Sequence, residues 1–157
     1  TIATLLNWMA DQQEVFVIAT ANDVRQLAPE QLRQGRFAQV IFVDLPTPAD
    51  RAEIFRVHLA KRGRDPEGFD LAALAAASEG FSGAEIEAAV KAGLLAAFLD
   101  GARSLTTADV LARVRTIRPT SEVKREEIAE LRRWAQEHLA LAAVGDTPAA
   151  GERLMEF

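Results

Sequence analysis

The hydrophobic positions of this 157-residue chain change their spacing at Pro46. Before it, two short runs rich in β-branched residues, 15–18 and 39–46, are typical of strands buried on both faces of a parallel sheet. A short helical pattern, PEQLR, lies between them, and this order indicates a right-handed crossover between parallel strands. Two strands are too few for a stable parallel sheet. We therefore expect the chain to be part of a longer protein.

Helical spacing dominates the rest of the chain. Residues 1–13 place apolar side chains on one side of a predicted helix. After Pro46, alanine becomes abundant and four helices with short connections are predicted, which together indicate a compact helical module. Capping-box spacing marks the start of the last two. The four predicted helices span 47–63, 69–80, 82–101 and 106–118.

Residues 119–157 form an appendage to that module. The segment SEVKREEIAELRRWAQEHLA predicts a charged helix with one apolar stripe, and AVGDTPAAGE, residues 143–152, predicts a flexible tail. The stripe consists of Val123, Ile128, Leu131 and Trp134.

Composition excludes several classes of function. The chain has no cysteine, so disulfides and cysteine-ligated metals are excluded, and its two histidines lie far apart. A formal net charge of −5 argues against nucleic acid as a partner. No apolar run approaches the length of a membrane span. No signal peptide is visible, and the first residue is threonine and not methionine. We expect a cytoplasmic protein that binds neither nucleic acid nor membrane.

Two motifs resemble a known family. IATAND followed by LRQGRF resembles the second region of homology of AAA ATPases, usually ATN and then LLRPGRFD, and GFSGAEIE at 80–87 is similar to GFSGADLE of their helical lid. VFVIATAND, FVDLP and HLAKRGRDPEGFDL make the chain most similar to the stand-alone AAA proteins of cyanobacteria, plastids and other bacteria. The resemblance covers residues 15–118 in order and spacing.

The resemblance implies an α/β fragment followed by an all-α four-helix AAA lid, so that the chain is mostly helical. The fragment would hold the last parallel strands of a P-loop NTPase core. The expected boundaries are 1–46 for the end of the large α/β subdomain, 47–118 for the lid, and 119–157 for the carboxyl-terminal helix and tail.

Asn22 follows the first predicted strand. Ligands of open α/β sheets bind at the carboxyl ends of strands. The resemblance implies that Asn22 is sensor 1, which positions the attacking water together with an acidic residue of the adjacent strand. The alternative is that Asn22 caps a turn, since Asp23 follows it.

Arg33 and Arg36 flank Gly35 at the end of the predicted PEQLR helix. Gly35 is a natural residue to end this helix, and a cation in the last helical turn interacts favourably with the helix dipole. These local effects would explain one of the two arginines. The resemblance implies that both are arginine fingers that reach ATP held by a neighbouring subunit, a task suited to a bidentate and permanently charged guanidinium. The alternative is a pair of solvated helix-end charges. Ala38 replaces the acid usual after the phenylalanine, so Arg33 is the first choice for the primary finger.

Four lid residues match positions that line the adenine and ribose side of the pocket in the family. His58 would stack on the base or hydrogen-bond near it, and the alternative is a packed histidine on an amphipathic helix. Gly83 and Ala84 would begin a helix whose free amides suit a phosphate or ribose. Ala84 stands where many distant relatives carry a second sensing arginine, so none is expected. The four residues are Ile54, His58, Gly83 and Ala84.

The sequence lacks two parts of a complete ATPase site. A phosphate-binding loop requires G-x-x-x-x-G-K-[ST], and Phe69 stands where lysine should follow Gly63 and Gly68. Neither predicted strand leads into the Asp-Glu pair that binds magnesium. We expect ATP with Mg²⁺ to be the cofactor of the complete parent protein, with neither bound tightly here, no metal site, and no hydrolysis by this chain alone.

These expectations combine into one function with two alternatives. The chain would be the carboxyl-terminal portion of an oligomeric AAA ATPase, usually a six-membered ring, that couples ATP hydrolysis to remodelling of an unknown protein substrate. The first alternative is a non-catalytic, lid-containing interaction module. The second is a DNA-linked AAA+ loader, which the missing basic patch disfavours.

Overall fold

The computed structural model describes residues 4, 8, 15–21, 40–138 and 142–143, most of which are helical. The four helices predicted after Pro46 are confirmed, and the predicted charged helix is divided into two. The helices are α1 Pro48–Ala60, α2 Leu71–Ala77, α3 Gly83–Leu99, α4 Thr107–Val114, α5 Thr120–Val123 and α6 Arg125–His138, with a 3-10 turn at Pro66–Gly68. The strands are β1 Phe42–Val43 and β2 Ala142–Ala143.

Helices α1, α3 and α4 each begin at a capping box. In each, a carboxylate three residues after the cap accepts a hydrogen bond from the backbone N–H of the cap residue. This pairing satisfies an amide that would otherwise lack an acceptor and fixes where the helix begins. The pairs are Thr47 with Asp50, Ser82 with Glu85, and Thr106 with Asp109.

The core of the helical module lies among α1 to α4. Apolar side chains from all four helices are fully buried together with residues of the connecting loops. Gly93 allows α3 and α4 to approach closely, since a Cβ there would lie 3.4 Å from Val110 Cγ2 and 3.5 Å from Val110 Cα. The largest fully buried apolar side chains are Phe55, Leu59, Leu74, Ile86, Val90 and Val110.

The strand predicted at 15–18 is wrong for this structure. Residues 15–21 have no regular secondary structure, and Phe16 and Ile18 are 90% and 80% exposed. A strand buried on both faces needs neighbouring strands to satisfy its backbone and helices to cover it. In the described part of the chain, the two short strands β1 and β2 pair with each other instead.

The strand predicted at 39–46 is confirmed over its centre, as β1. It pairs in parallel with β2, with Phe42 opposite Ala142 and Val43 opposite Ala143. The predicted flexible tail therefore begins in a strand, and its remainder lies outside the described residues. The helix predicted at 1–13 is described only at Thr4 and Trp8, which are both helical.

Helix α6 is anchored beside β1 by an ion pair. Arg132 Nε and Nη2 donate to the two carboxylate oxygens of Asp44 at 2.7 and 2.9 Å. Ile128 and Leu131 of the predicted apolar stripe line a groove against β1. Val123 does not belong to the buried stripe, because it lies on α5 and is 65% exposed. None of the helices in the described ranges has the length and apolarity needed to cross a bilayer.

Candidate functional site

Two of the predicted lid residues meet where α1 faces the start of α3. Ile54 Cδ1 lies 3.8 Å from the position that a Cβ would occupy on Gly83, and both residues are half-buried. Gly83 is the first residue of α3, so its amide has no acceptor within the helix. The site thus joins an apolar side chain to a helix-start amide that has no acceptor within its own helix.

The contact between Ile54 and Gly83 lies at one end of a longer seam between the two helices. Residues four apart lie on the same face of a helix, and two such rows face each other. At the far end of the rows, Arg62 Nη2 donates to Glu87 Oε1 at 2.8 Å, and Lys91 Nζ lies 2.8 Å from the same oxygen. We call the rows the α1–α3 seam. They are Ile54, His58 and Arg62 on the α1 side and Gly83, Glu87 and Lys91 on the α3 side.

His58 lies in the middle of the seam and is half-buried. Arg62 Nη1 lies 3.3 Å from its Nδ1 and also donates to its backbone carbonyl at 2.9 Å. Burial lowers the pKa of His58 from its ordinary 6.5, as do the charges of Arg62, Lys61 and Lys91, while the Glu87 carboxylate opposes them. The ring is therefore neutral at neutral pH.

Glu87 is the acidic partner of the seam. Hydrogen bonds from Lys91 and Arg62 lower its pKa to about 2, against a smaller opposing effect of desolvation. It is therefore charged throughout the physiological range and holds the two cations between the helices.

Glu85 fixes the first turn of α3, which carries Gly83 and Ala84. Its Oε2 accepts from the backbone N–H and the hydroxyl of Ser82, both at 2.7 Å. Its Oε1 accepts from the backbone N–H of Thr120 at 2.7 Å. One carboxylate therefore caps both α3 and α5.

We expect Glu85→Gln to lower the free energy of unfolding of this chain by about 1–2 kcal/mol at pH 7. Burial raises the pKa of Glu85, but hydrogen bonds from Ser82 and Thr120 outweigh it, so the pKa lies below its ordinary 4.5. The stabilisation is complete above pH 4.5 and is lost as the pH falls through the lower folded pKa. Urea unfolding of both chains at a series of pH values measures this difference.

The control for this prediction is Glu126→Gln, at an exposed acid in the first turn of α6. It should change stability by less than about 0.5 kcal/mol. A Glu85→Gln effect that stays the same from pH 7 to pH 3 would contradict the assigned caps.

The segment that enters α1 is fixed by a buried arginine. Arg51 is 6% exposed, and its Nε and Nη1 donate to the carbonyls of Ala75 and Pro46, both at 3.0 Å. These bonds hold the chain between β1 and α1 against α2. The groove beside it, with a volume of about 210 Å³, is bordered by β1, by Ser82 and Gly83, and by α6.

The structure brings together only part of the predicted site. Ile54 meets Gly83, His58 lies next along the same seam, and Ala84 is exposed on the first turn of α3. The three predicted catalytic residues lie outside the described residues, and their roles stay predictions. They are Asn22, Arg33 and Arg36.

Sequence reasoning did not identify the charged end of the seam. Arg62 and Glu87 each follow a predicted site residue, His58 and Gly83, by four positions. That spacing is the signal that could have indicated them. Among the described residues, no group of three or more potential metal ligands is present.

Comparisons with known proteins identify the class to which this arrangement belongs. The family model for the AAA+ lid domain matches residues 68–112. The model for the ATPase family associated with various cellular activities (AAA) matches residues 1–45. The chain belongs to the AAA family, with the lid following part of the AAA domain.

Individual proteins of this family are similar to the chain over different parts of its length. The chain is 40% identical to the AAA domain-containing protein ycf46 of Guillardia theta over 84% of its own length and 26% of that protein. It is 44% identical to the ATP-dependent zinc metalloprotease FtsH of Acidothermus cellulolyticus over 62% of its length and 14% of that protein. The chain spans about a quarter of the length of the ycf46 relatives it matches.

The fold is also found among solved structures. The crystal structure of the FIGL-1 AAA domain in complex with ADP superposes with a TM-score of 0.54, at 21% identity, and covers 72% of this chain and 43% of that one. At this identity the match shows the AAA fold and nothing about ligands.

Proposed function

We propose that this chain is the carboxyl-terminal portion of an oligomeric AAA ATPase that couples ATP binding and hydrolysis to the remodelling of a protein substrate in the cytoplasm. It supplies sensor 1, arginine fingers that act on a neighbouring subunit, and the lid. The observation that carries the proposal is the meeting of Ile54 with Gly83 in the α1–α3 seam. Both are positions that line the nucleotide pocket in the family.

The seam suits the base and ribose of a nucleotide. Ile54 offers an apolar surface, Gly83 offers a helix-start amide, and His58 offers a neutral ring beside them. Ala84 adds a small side chain on the same first turn of α3. ATP with Mg²⁺ would supply the phosphoryl group and the metal, while the lid residues bind and orient the nucleoside.

The sensor and the fingers belong to the first 46 residues, and the fingers act on the site of another subunit. Asn22 positions the attacking water, and Arg33 and Arg36 reach the nucleotide of the neighbour. Fingers that act across subunits require an oligomer, and the resemblance favours a six-membered ring. Relatives named as an ATP-dependent protease and as a proteasome-activating nucleotidase support an ATP-driven action on proteins.

The direct test is ATPase activity of this chain with and without the upstream segment that carries the phosphate-binding loop. We expect turnover only in the mixture, because the cradle and the metal ligands are in one part and the sensor and fingers in the other. A folded, nucleotide-bound mixture without turnover would contradict the proposal and favour the non-catalytic interaction module.

Asn22→Ala in the full-length protein should slow hydrolysis by roughly a hundredfold and leave ATP affinity within about twofold. The amide orients water beside the γ-phosphate and contributes little to ground-state binding. Single-turnover rates and equilibrium ATP binding separate the two effects. Gln26→Ala, in the same segment, is the control, and a matching loss of affinity and rate in Asn22→Ala would indicate a structural role instead.

A further inference from the structure

The charged end of the α1–α3 seam contains an arginine that binds His58 at two points. Arg62 Nη1 contacts both the His58 ring nitrogen Nδ1 and its backbone carbonyl, while Nη2 donates to Glu87. The Arg62 side chain is only 18% exposed. This guanidinium therefore connects the end of α1 to α3 through the histidine that the proposed function places at the nucleotide.

The contact between Arg62 Nη1 and His58 Nδ1 favours one tautomer of the ring. A guanidinium only donates, so this hydrogen bond forms only when Nδ1 is the acceptor and carries no proton. In a neutral imidazole the proton is then on Nε2. Nε2 becomes a fixed donor on the side of the ring away from Arg62.

We propose that Arg62 is a positioning residue that holds His58 as its Nε2–H tautomer, so that the ring presents a hydrogen-bond donor to an acceptor atom of the bound nucleoside. The inference rests on the proposed function, because the nucleoside is the ligand which that function assigns to the seam. Glu87 has a supporting role, since it accepts from Nη2 and keeps the guanidinium in place.

The groups around His58 predict opposite responses to two variants. Arg62, Lys61 and Lys91 carry positive charges toward the ring, and Glu87 carries the negative one. Arg62→Met removes both a cation and the Nδ1 donor, so the pKa of His58 should rise and both tautomers should be populated. Glu87→Gln keeps an oxygen acceptor for Arg62 but removes the anion, so the pKa should fall while the tautomer stays the same.

The tautomer and pKa are measured on this chain by ¹⁵N–¹H long-range correlation spectra of the imidazole across a pH series. His138→Gln leaves His58 as the single histidine and makes its assignment direct. Arg56→Met is the matched control, because Arg56 lies on the same helix and pairs with Glu53 and Glu67 instead. An unchanged tautomer and pKa in Arg62→Met would overturn the inference.

The consequence for the ligand is measured as ADP affinity of the full-length protein by calorimetry. Arg62→Met and His58→Ala should each weaken ADP binding by about threefold to tenfold. Arg56→Met should bind as the unaltered protein does. These results together with the altered tautomer would support the inference.

The remaining outcomes separate the inference from the proposed function. If His58→Ala weakens ADP binding but Arg62→Met does not, the inference is overturned and the nucleotide site stands. If the unaltered protein does not bind ADP, the proposed function fails. The nucleoside is then not the ligand of the His58 Nε2–H donor, even if Arg62 sets the tautomer of the ring.

Discussion

Arg33→Ala is expected to lower ATP turnover of the full-length protein by about a thousandfold or more. ATP binding should stay within about twofold, because the guanidinium acts on charge that develops as the phosphoryl group is transferred. By the proposed function, this arginine serves the site of a neighbouring subunit. Steady-state turnover and equilibrium ATP binding of the purified oligomer measure the two effects separately.

Mixing two variants tests whether Arg33 acts across subunits. Asn22→Ala subunits keep an intact Arg33, and Arg33→Ala subunits keep an intact Asn22. If the finger acts in trans, mixed oligomers contain complete sites and regain turnover that neither variant shows alone. If it acts within its own subunit, mixing restores nothing. Arg25→Ala, from the same segment, is the control and should turn over ATP normally.

Phe55→Ala is expected to lower the free energy of unfolding of the helical module by about 3–5 kcal/mol. Phe55 is fully buried on α1, within the core that α1 to α4 share. Truncating a buried aromatic ring loses its transfer free energy and leaves a cavity that the packed helices fill only in part. Because small domains are stable by only about 5–15 kcal/mol, much of the stability would be lost. Urea unfolding followed by helical circular dichroism measures the change.

Phe98→Ala is the matched control, because it removes the same atoms from the end of α3, where the ring is 68% exposed. It should change stability by less than about 0.5 kcal/mol. Equal losses in the two variants would show that the core does not lie where the structure places it. Comparing the two variants also tests the α1–α3 seam, because Ile54 and His58 lie on the same helix as Phe55.

Local signals account for what the sequence predicted well. The helices α1 to α4 were predicted because each has its own pattern of apolar spacing. For α3 and α4, the capping-box spacing of Ser82 and Thr106, each with an acid three residues later, also indicated where the helix begins. The AAA family was predicted from motifs that are continuous in sequence. Ile54 and Gly83 were chosen as lid residues from the same motifs, whereas their contact is visible only in the structure.

Contacts between residues far apart in the chain account for the features that the sequence pattern did not predict. The run at 15–18 has every local mark of a strand, but a strand forms only where neighbours accept its hydrogen bonds. The partner of β1 is a pair of alanines near the end of the chain, a residue type with weak strand preference. The bond between Arg132 and Asp44 joins residues 88 positions apart, and no local pattern indicates it.

The sequence by itself determined the helices of the lid, their starting residues and the family, because periodicity, capping and short motifs are properties of neighbouring residues. The tertiary structure alone decided that Arg62 and Glu87 close the α1–α3 seam around His58, that Glu85 caps α5 as well as α3, and that α6 is anchored at Asp44. These contacts depend on how whole helices pack, and each is formed by groups whose partners are brought close only when the chain has folded.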